Sequence, residues 1–178
     1  MNYRVAIPLL FLVAPAVKAE SQEFYAGVEL ARTNVGERTG IKDGLLAVGV
    51  DLNPSRNLTL GFSFALQDQD VVEGVGAKGD GYAKYRPFLN SSTKPFVAGG
   101  FTAALLKERA CEPRLTNVGG SPVVQTICDS ALFGSLGVSY QVGASFSVGQ
   151  ATTFSVFFGQ FFGTKDVRMN LVGMNASF

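Results

Sequence analysis

Val167-Arg-Met-Asn-Leu-Val-Gly-Met-Asn-Ala-Ser-Phe178 closes the chain. Val172, Met174, Ala176 and Phe178 are apolar at every second position, while Gly173, Asn175 and Ser177 between them are small or polar. Side chains of an extended strand alternate between two faces, so this segment has one apolar face and one wet face. A chain end normally frays, whereas the last strand of a closed barrel must pair with the first and has reason to keep its pattern to the end. Upstream of Val172 the pattern lapses, because Arg168 and Asn170 hold the same parity. Either they stand above the apolar zone or a bulge shifts the register there.

The same period recurs upstream. The cleanest run is Leu58 to Gln67, where Leu58, Leu60, Phe62, Phe64 and Leu66 alternate with Thr59, Gly61, Ser63, Ala65 and Gln67. Phe24 to Arg32 places Phe24, Ala26, Val28 and Leu30 opposite Tyr25, Gly27, Glu29 and Ala31, and Leu45 to Leu52 sets Leu46, Val48, Val50 and Leu52 against Ala47, Gly49 and Asp51. A weaker run covers Gly81 to Leu89, and a fifth run from Pro95 places Val97, Gly99, Phe101, Ala103 and Leu105 on the outward face. A long one starts near Ser130 and turns either at Gly149 to Thr152 or earlier, at Gly143 to Ser145; the late turn is expected, which leaves Thr153 to Gly163 as the seventh strand. Asn34 to Gly44, Asp68 to Asp80 and Lys107 to Asp129 read as long polar connections, and Asn53 to Asn57 as a tight turn.

Residues 1–19 carry the pattern of a cleaved signal peptide: Arg4, the apolar segment Ile7 to Val17, and Val17-Lys18-Ala19 before Glu20. Residues 20–178 then form one domain. The formal charge of +1 drops to −1 with the loss of Arg4 and Lys18, so no basic excess points to nucleic acid. Beyond the signal no apolar stretch is long enough for a membrane helix, yet hydrophobic residues make up 47% of the chain and charged ones only 16%. A β-barrel reconciles the two, because its strands hide hydrophobicity in alternation. Cys111 and Cys128 flank a Pro/Gly/Asn-rich segment, and an exported chain favours a loop-closing disulfide between them over two free thiols.

Signal peptide, eight amphipathic runs, alternating connection lengths and a final strand ending on Phe178 together resemble the OmpA/OmpX-type eight-stranded outer-membrane β-barrel superfamily. The resemblance covers the whole chain after the signal and implies an all-β, eight-stranded antiparallel up-and-down transmembrane β-barrel in a Gram-negative outer membrane. It also implies that Val172, Met174, Ala176 and Phe178 form the signal read by the barrel assembly machinery, and that Phe24, Tyr85, Tyr140, Phe146, Phe154 and Phe178 sit at the bilayer interfaces. Outer-membrane lipids and lipopolysaccharide are the expected surroundings, with host or surface ligands reached through the loops and the chain itself a monomer.

An eight-stranded barrel is just wide enough for side chains to fill. Glu29, Asp51, Lys84 and Arg86 share the inward parity and are expected to pair there as a polar plug, since buried charge is costly alone. The chain has no histidine, which removes the usual activating base of hydroxyl and water chemistry and the commonest metal ligand. No catalytic or metal residue and no cofactor is therefore expected. Gly74-Val-Gly-Ala-Lys-Gly79 matches a dinucleotide-binding spacing but precedes a strand where that motif needs a helix. The expected function is non-catalytic surface interaction, adhesion-like, through the loops. A narrow porin-like channel and a soluble lipocalin-like carrier are the alternatives, and the direction of the apolar faces separates the last from the others.

Overall fold

The computed structural model describes residues 21–36, 38–67, 74–88, 92–118, 121–148 and 152–178; the expected signal peptide lies outside them. Eight strands, β1 (Ser21–Val35), β2 (Arg38–Asn53), β3 (Leu58–Gln67), β4 (Gly74–Tyr85), β5 (Thr93–Val118), β6 (Ser121–Val148), β7 (Thr152–Gly163) and β8 (Val167–Ser177), pair in sequence order. β8 returns to β1, so the sheet is a closed antiparallel barrel. Closure satisfies both edges of the sheet, which a strand crossing lipid requires. Phe24 and Phe178 exchange backbone hydrogen bonds of 3.3 and 3.0 Å at the seam.

Strand parity follows the sequence pattern closely. Leu46 and Val48 of β2, Phe101 and Leu105 of β5, and Phe158 and Phe162 of β7 point outward and are exposed, as are Val172, Met174 and Phe178 of β8. Thr59, Ser63, Ser135, Ser139, Ser145 and Ser155 point inward and are buried. Leu52 is the exception, outward by parity but buried. An apolar outside around a polar inside is the reverse of a soluble carrier, and that alternative falls here. β6 ends at Val148 and β7 starts at Thr152, so the turn between them is the later of the two considered.

Three connections differ from the sequence reading. β1 and β2 run on to Val35 and Arg38. β4 begins at Gly74, with a register shift between Val75 and Ala77, so the second half of the expected Asp68 to Asp80 loop is wall. The expected loop Lys107 to Asp129 is a continuous ladder from Lys107↔Leu132 to Val118↔Ser121. The alternation lapses in that ladder because both faces of the ribbon meet water, while backbone pairing continues regardless. Along β8 the pairing to β1 is unbroken from Tyr25↔Ser177 to Val35↔Val167. No bulge intervenes, and Arg168 and Asn170 do face outward.

Candidate functional site

β2 and β4 bring three of the expected interior charges together. Lys84 Nζ donates to Asp51 Oδ2 at 2.6 Å, and Arg86 Nη2 lies 3.9 Å from the same oxygen. The Tyr82 hydroxyl donates to the other Asp51 oxygen, and the Tyr25 hydroxyl lies 3.1 Å from that of Tyr82. Arg86 also donates to Thr59 Oγ1 at 3.0 Å, Thr59 donates to Asn53 at 2.6 Å, and the Asn53 amide donates to Glu23 at 3.2 Å. The Lys84 ammonium sits over the rings of Tyr82 and Phe96, which adds a cation–π attraction where water is scarce.

Glu29 lies in the interior too, but its ion-pair partner is Lys78, 2.6 Å away. Lys78 is also 2.8 Å from Asp80, which accepts from Ser63 at 2.8 Å and Thr102 at 2.6 Å. Two carboxylates thus share one ammonium in the middle of the barrel, and two cations share one carboxylate toward the termini. The excess charges of the two groups are opposite, so neighbouring clusters offset each other in a space where isolated charge is costly. Lys78 and Asp80 were missed in the sequence because the glycines around them read as loop. Following the parity of Tyr82 and Lys84 two strand positions further back reaches both.

Toward the hairpin end the interior turns apolar. Leu45, Val75, Leu106, Phe161, Val167, Met169 and Leu171 are all at most 1% exposed and pack into one cluster with the alanines of β1 to β3 and β5. Asp43 is held at this level by Gln67 at 2.7 Å and the Val75 amide at 3.0 Å. Gly74 beside it has φ of 125°, and a Cβ there would fall onto the Asp43 carboxylate. Glycine is needed for both reasons.

Inward rings are seated over glycines directly opposite them. Tyr82 covers Gly61 and Phe157 covers Gly173, each pair in register. The absent side chains make room for rings that would otherwise not fit the bore. What remains among these groups is a cavity of about 10 Å³ bordered by Tyr25, Glu29, Ser63, Tyr82 and Lys84, no more than the minimum that one water needs.

Outside the barrel, β5 pairs with β4 only as far as Lys107, and β6 meets β7 only from Gly137. From Glu108 to Val118, β6 is the only partner of β5 among the described residues. The two strands therefore project together as a hairpin for roughly 35 Å, at about 3.3 Å per residue. Cys111 and Cys128 are opposed in this ladder and joined by a disulfide. Leu115 and Val124, another opposed pair, are exposed near the tip.

No protein-family model and no curated protein matches the chain. Solved structures do. Neisserial surface protein A superposes with a TM-score of 0.61 at 14% identity, covering 88% of this chain and 95% of that one. The attachment invasion locus protein Ail of Yersinia pestis gives 0.59 at 11%, with 88% and 95% covered. The N-terminal β-barrel domain of Pseudomonas aeruginosa OprF gives 0.54 at 11%, with 86% and 97% covered. The fold is the eight-stranded outer-membrane barrel.

An outer-membrane barrel turns its outward face to lipid, and the exposed belt of Leu, Val and Phe is that face. Phe24, Tyr85, Phe146, Phe154 and Phe178 are all exposed on it near the end that carries Ser21 and Phe178, the level at which such barrels carry an aromatic girdle. Tyr140 lies higher, bonded to Gln160 on β7. Ail has also been solved in complex with the heparin analogue sucrose octasulfate.

Proposed function

We propose that the chain is a non-catalytic surface-interaction protein of the outer membrane, adhesion-like, that presents the β5–β6 hairpin to ligands outside the cell. Residues 1–19 act as the export signal, and Val172, Met174, Ala176 and Phe178 act as the segment read by the barrel assembly machinery. The observation that carries this reading is the projecting ladder from Lys107↔Leu132 to Val118↔Ser121, cross-linked at Cys111–Cys128. A hairpin tied by a covalent bond keeps its shape away from the barrel wall and binds at lower conformational cost than a free loop. The filled interior favours this role over a channel, because paired ions and an apolar cluster occupy the bore at successive levels.

The test displays the barrel in proteoliposomes, with and without the segment between Lys107 and Leu132 replaced by a two-residue turn, over a heparin-coated surface, a probe suggested by the Ail complex. Retention of the full hairpin form and loss with the shortened form is the expected result. Equal retention of both would overturn the reading. Planar-bilayer recordings on the same samples should show no unitary steps, and stable steps from the intact barrel would instead favour the channel.

A further inference from the structure

Arg32 on β1 is opposed by Lys42 on β2 and by Asn170 on β8, and Arg168 on β8 is opposed by Asn34 of β1, next outward after Arg32. All share the outward parity, and Arg32, Lys42 and Arg168 are exposed. With neighbouring strands about 4.8 Å apart, the three cations fall within roughly 12 Å of one another. Among the described residues no carboxylate forms an ion pair with any of them; the acids nearby are Asp166, in the turn before β8, and Asp43, turned inward. The row continues sideways as amides and a phenol: Gln160 donates to Asn170 at 2.9 Å, and Tyr140 donates to Gln160.

Immediately toward the termini the same strands turn apolar. Leu30 and Val172, the next outward residues after Arg32 and Asn170, are opposed in register, and they open a shallow groove of about 550 Å³ that Val28, Val156, Phe158 and Met174 continue. Like charges crowded beside lipid repel one another more strongly than in water, and no carboxylate among the described residues pairs with them. An amphiphile with a negative head and an apolar tail matches both parts at once.

We propose that the β2–β1–β8 face is a binding site for a membrane lipid with a phosphorylated headgroup, its phosphate held by Arg32, Lys42 and Arg168 and one acyl chain laid along the groove. Guanidinium groups meet phosphate oxygens two at a time, and the lysine adds a point charge. The Asn170, Gln160 and Tyr140 row lies beside the phosphate site, where the remaining polar atoms of a headgroup would fall. This inference rests on the membrane-embedded reading of the barrel but not on the hairpin's role.

The experiment is native mass spectrometry of the folded protein in a non-ionic detergent with lipid A, with a diacylglycerol, and with inorganic phosphate. The wild type should retain lipid A, and Arg32→Gln/Lys42→Gln/Arg168→Gln should retain it at least about tenfold less weight for weight, since each basic side chain near the headgroup contributes. Ala144→Phe, which fills the groove from β6, should also reduce retention. Equal retention by the triple variant, equal retention of the diacylglycerol, or displacement of lipid A by phosphate alone would overturn the proposal. Gel mobility before and after heating reads barrel closure separately in every variant. A chain that never closes in detergent or lipid would refute the barrel reading instead.

Discussion

Along β8 the two ends of the barrel are built on opposite rules. Near Phe178 the outward side chains are Val172, Met174 and Phe178, and the interior beside them holds ions, hydroxyls and rings. Near Val167 the outward side chains are Arg168 and Asn170, and the inward ones are Val167, Met169 and Leu171. Along this strand one end is turned inside out for lipid, and the other is organised like an ordinary soluble protein. The register never breaks between them. Alternation is kept throughout, and what inverts is which parity is apolar, at the level where lipid gives way to water.

The comparison is broken most severely in the charged interior. Lys78→Met strands Glu29 and Asp80 without a counter-charge and should cost about 3–5 kcal/mol, as loss of one partner from a buried pair does; urea unfolding in lipid vesicles measures it. Replacing Glu29 and Asp80 by Gln and Asn in the same chain should recover most of that loss. At the hairpin end Phe161→Ala leaves only a cavity and should cost roughly 3 kcal/mol, while Leu106→Met there should cost under about 1.5 kcal/mol by the same measurement. A methionine that the apolar end accepts is thus one that the charged end rejects. Gly61→Val drives a branched side chain into the Tyr82 ring and should cost about 1–3 kcal/mol, seen as a lower midpoint in heat-modified gel mobility. Arg86→Gln should cost about 1 kcal/mol, because the guanidinium is 3.9 Å from Asp51 and its short side-chain contact among the described residues is the hydrogen bond to Thr59.

The barrel itself was legible because lipid contact writes period two into each strand. The pattern failed where a strand left the lipid or where glycine and alanine held its outward positions, as Ala77, Gly79 and Gly81 do. Gly74 to Asp80 reads as loop because glycine and charge are turn residues in water, yet Lys78 and Asp80 are wall residues, and the Lys78 ammonium is shared between Asp80 and Glu29. Lys107 to Asp129 reads as loop because Pro113, Arg114 and Gln125 have no dry side to mark. Arg168 and Asn170 looked like a fault in the closing strand, and they are the signature of its upper half. Asp51, Lys84 and Arg86 were found by inward parity alone, whereas pairing Glu29 with Lys78 depended on knowing that β4 begins at Gly74. The apolar cluster of Leu45, Leu106, Phe161 and Met169 was hidden for a different reason: a family picture of polar interiors gives no cause to look for it.

The ladder that joins Phe24 to Phe178 has a further meaning for how the barrel comes together. Every other strand pairing links consecutive segments, so seven hairpin contacts can zip locally with little loop-closure entropy. Only the β1–β8 seam spans nearly the whole chain. The search that limits folding is therefore concentrated in one late event, and until it happens both outer strands carry open edges able to pair with another sheet. Whatever offers β8 a temporary partner at that moment governs both the rate of assembly and the yield.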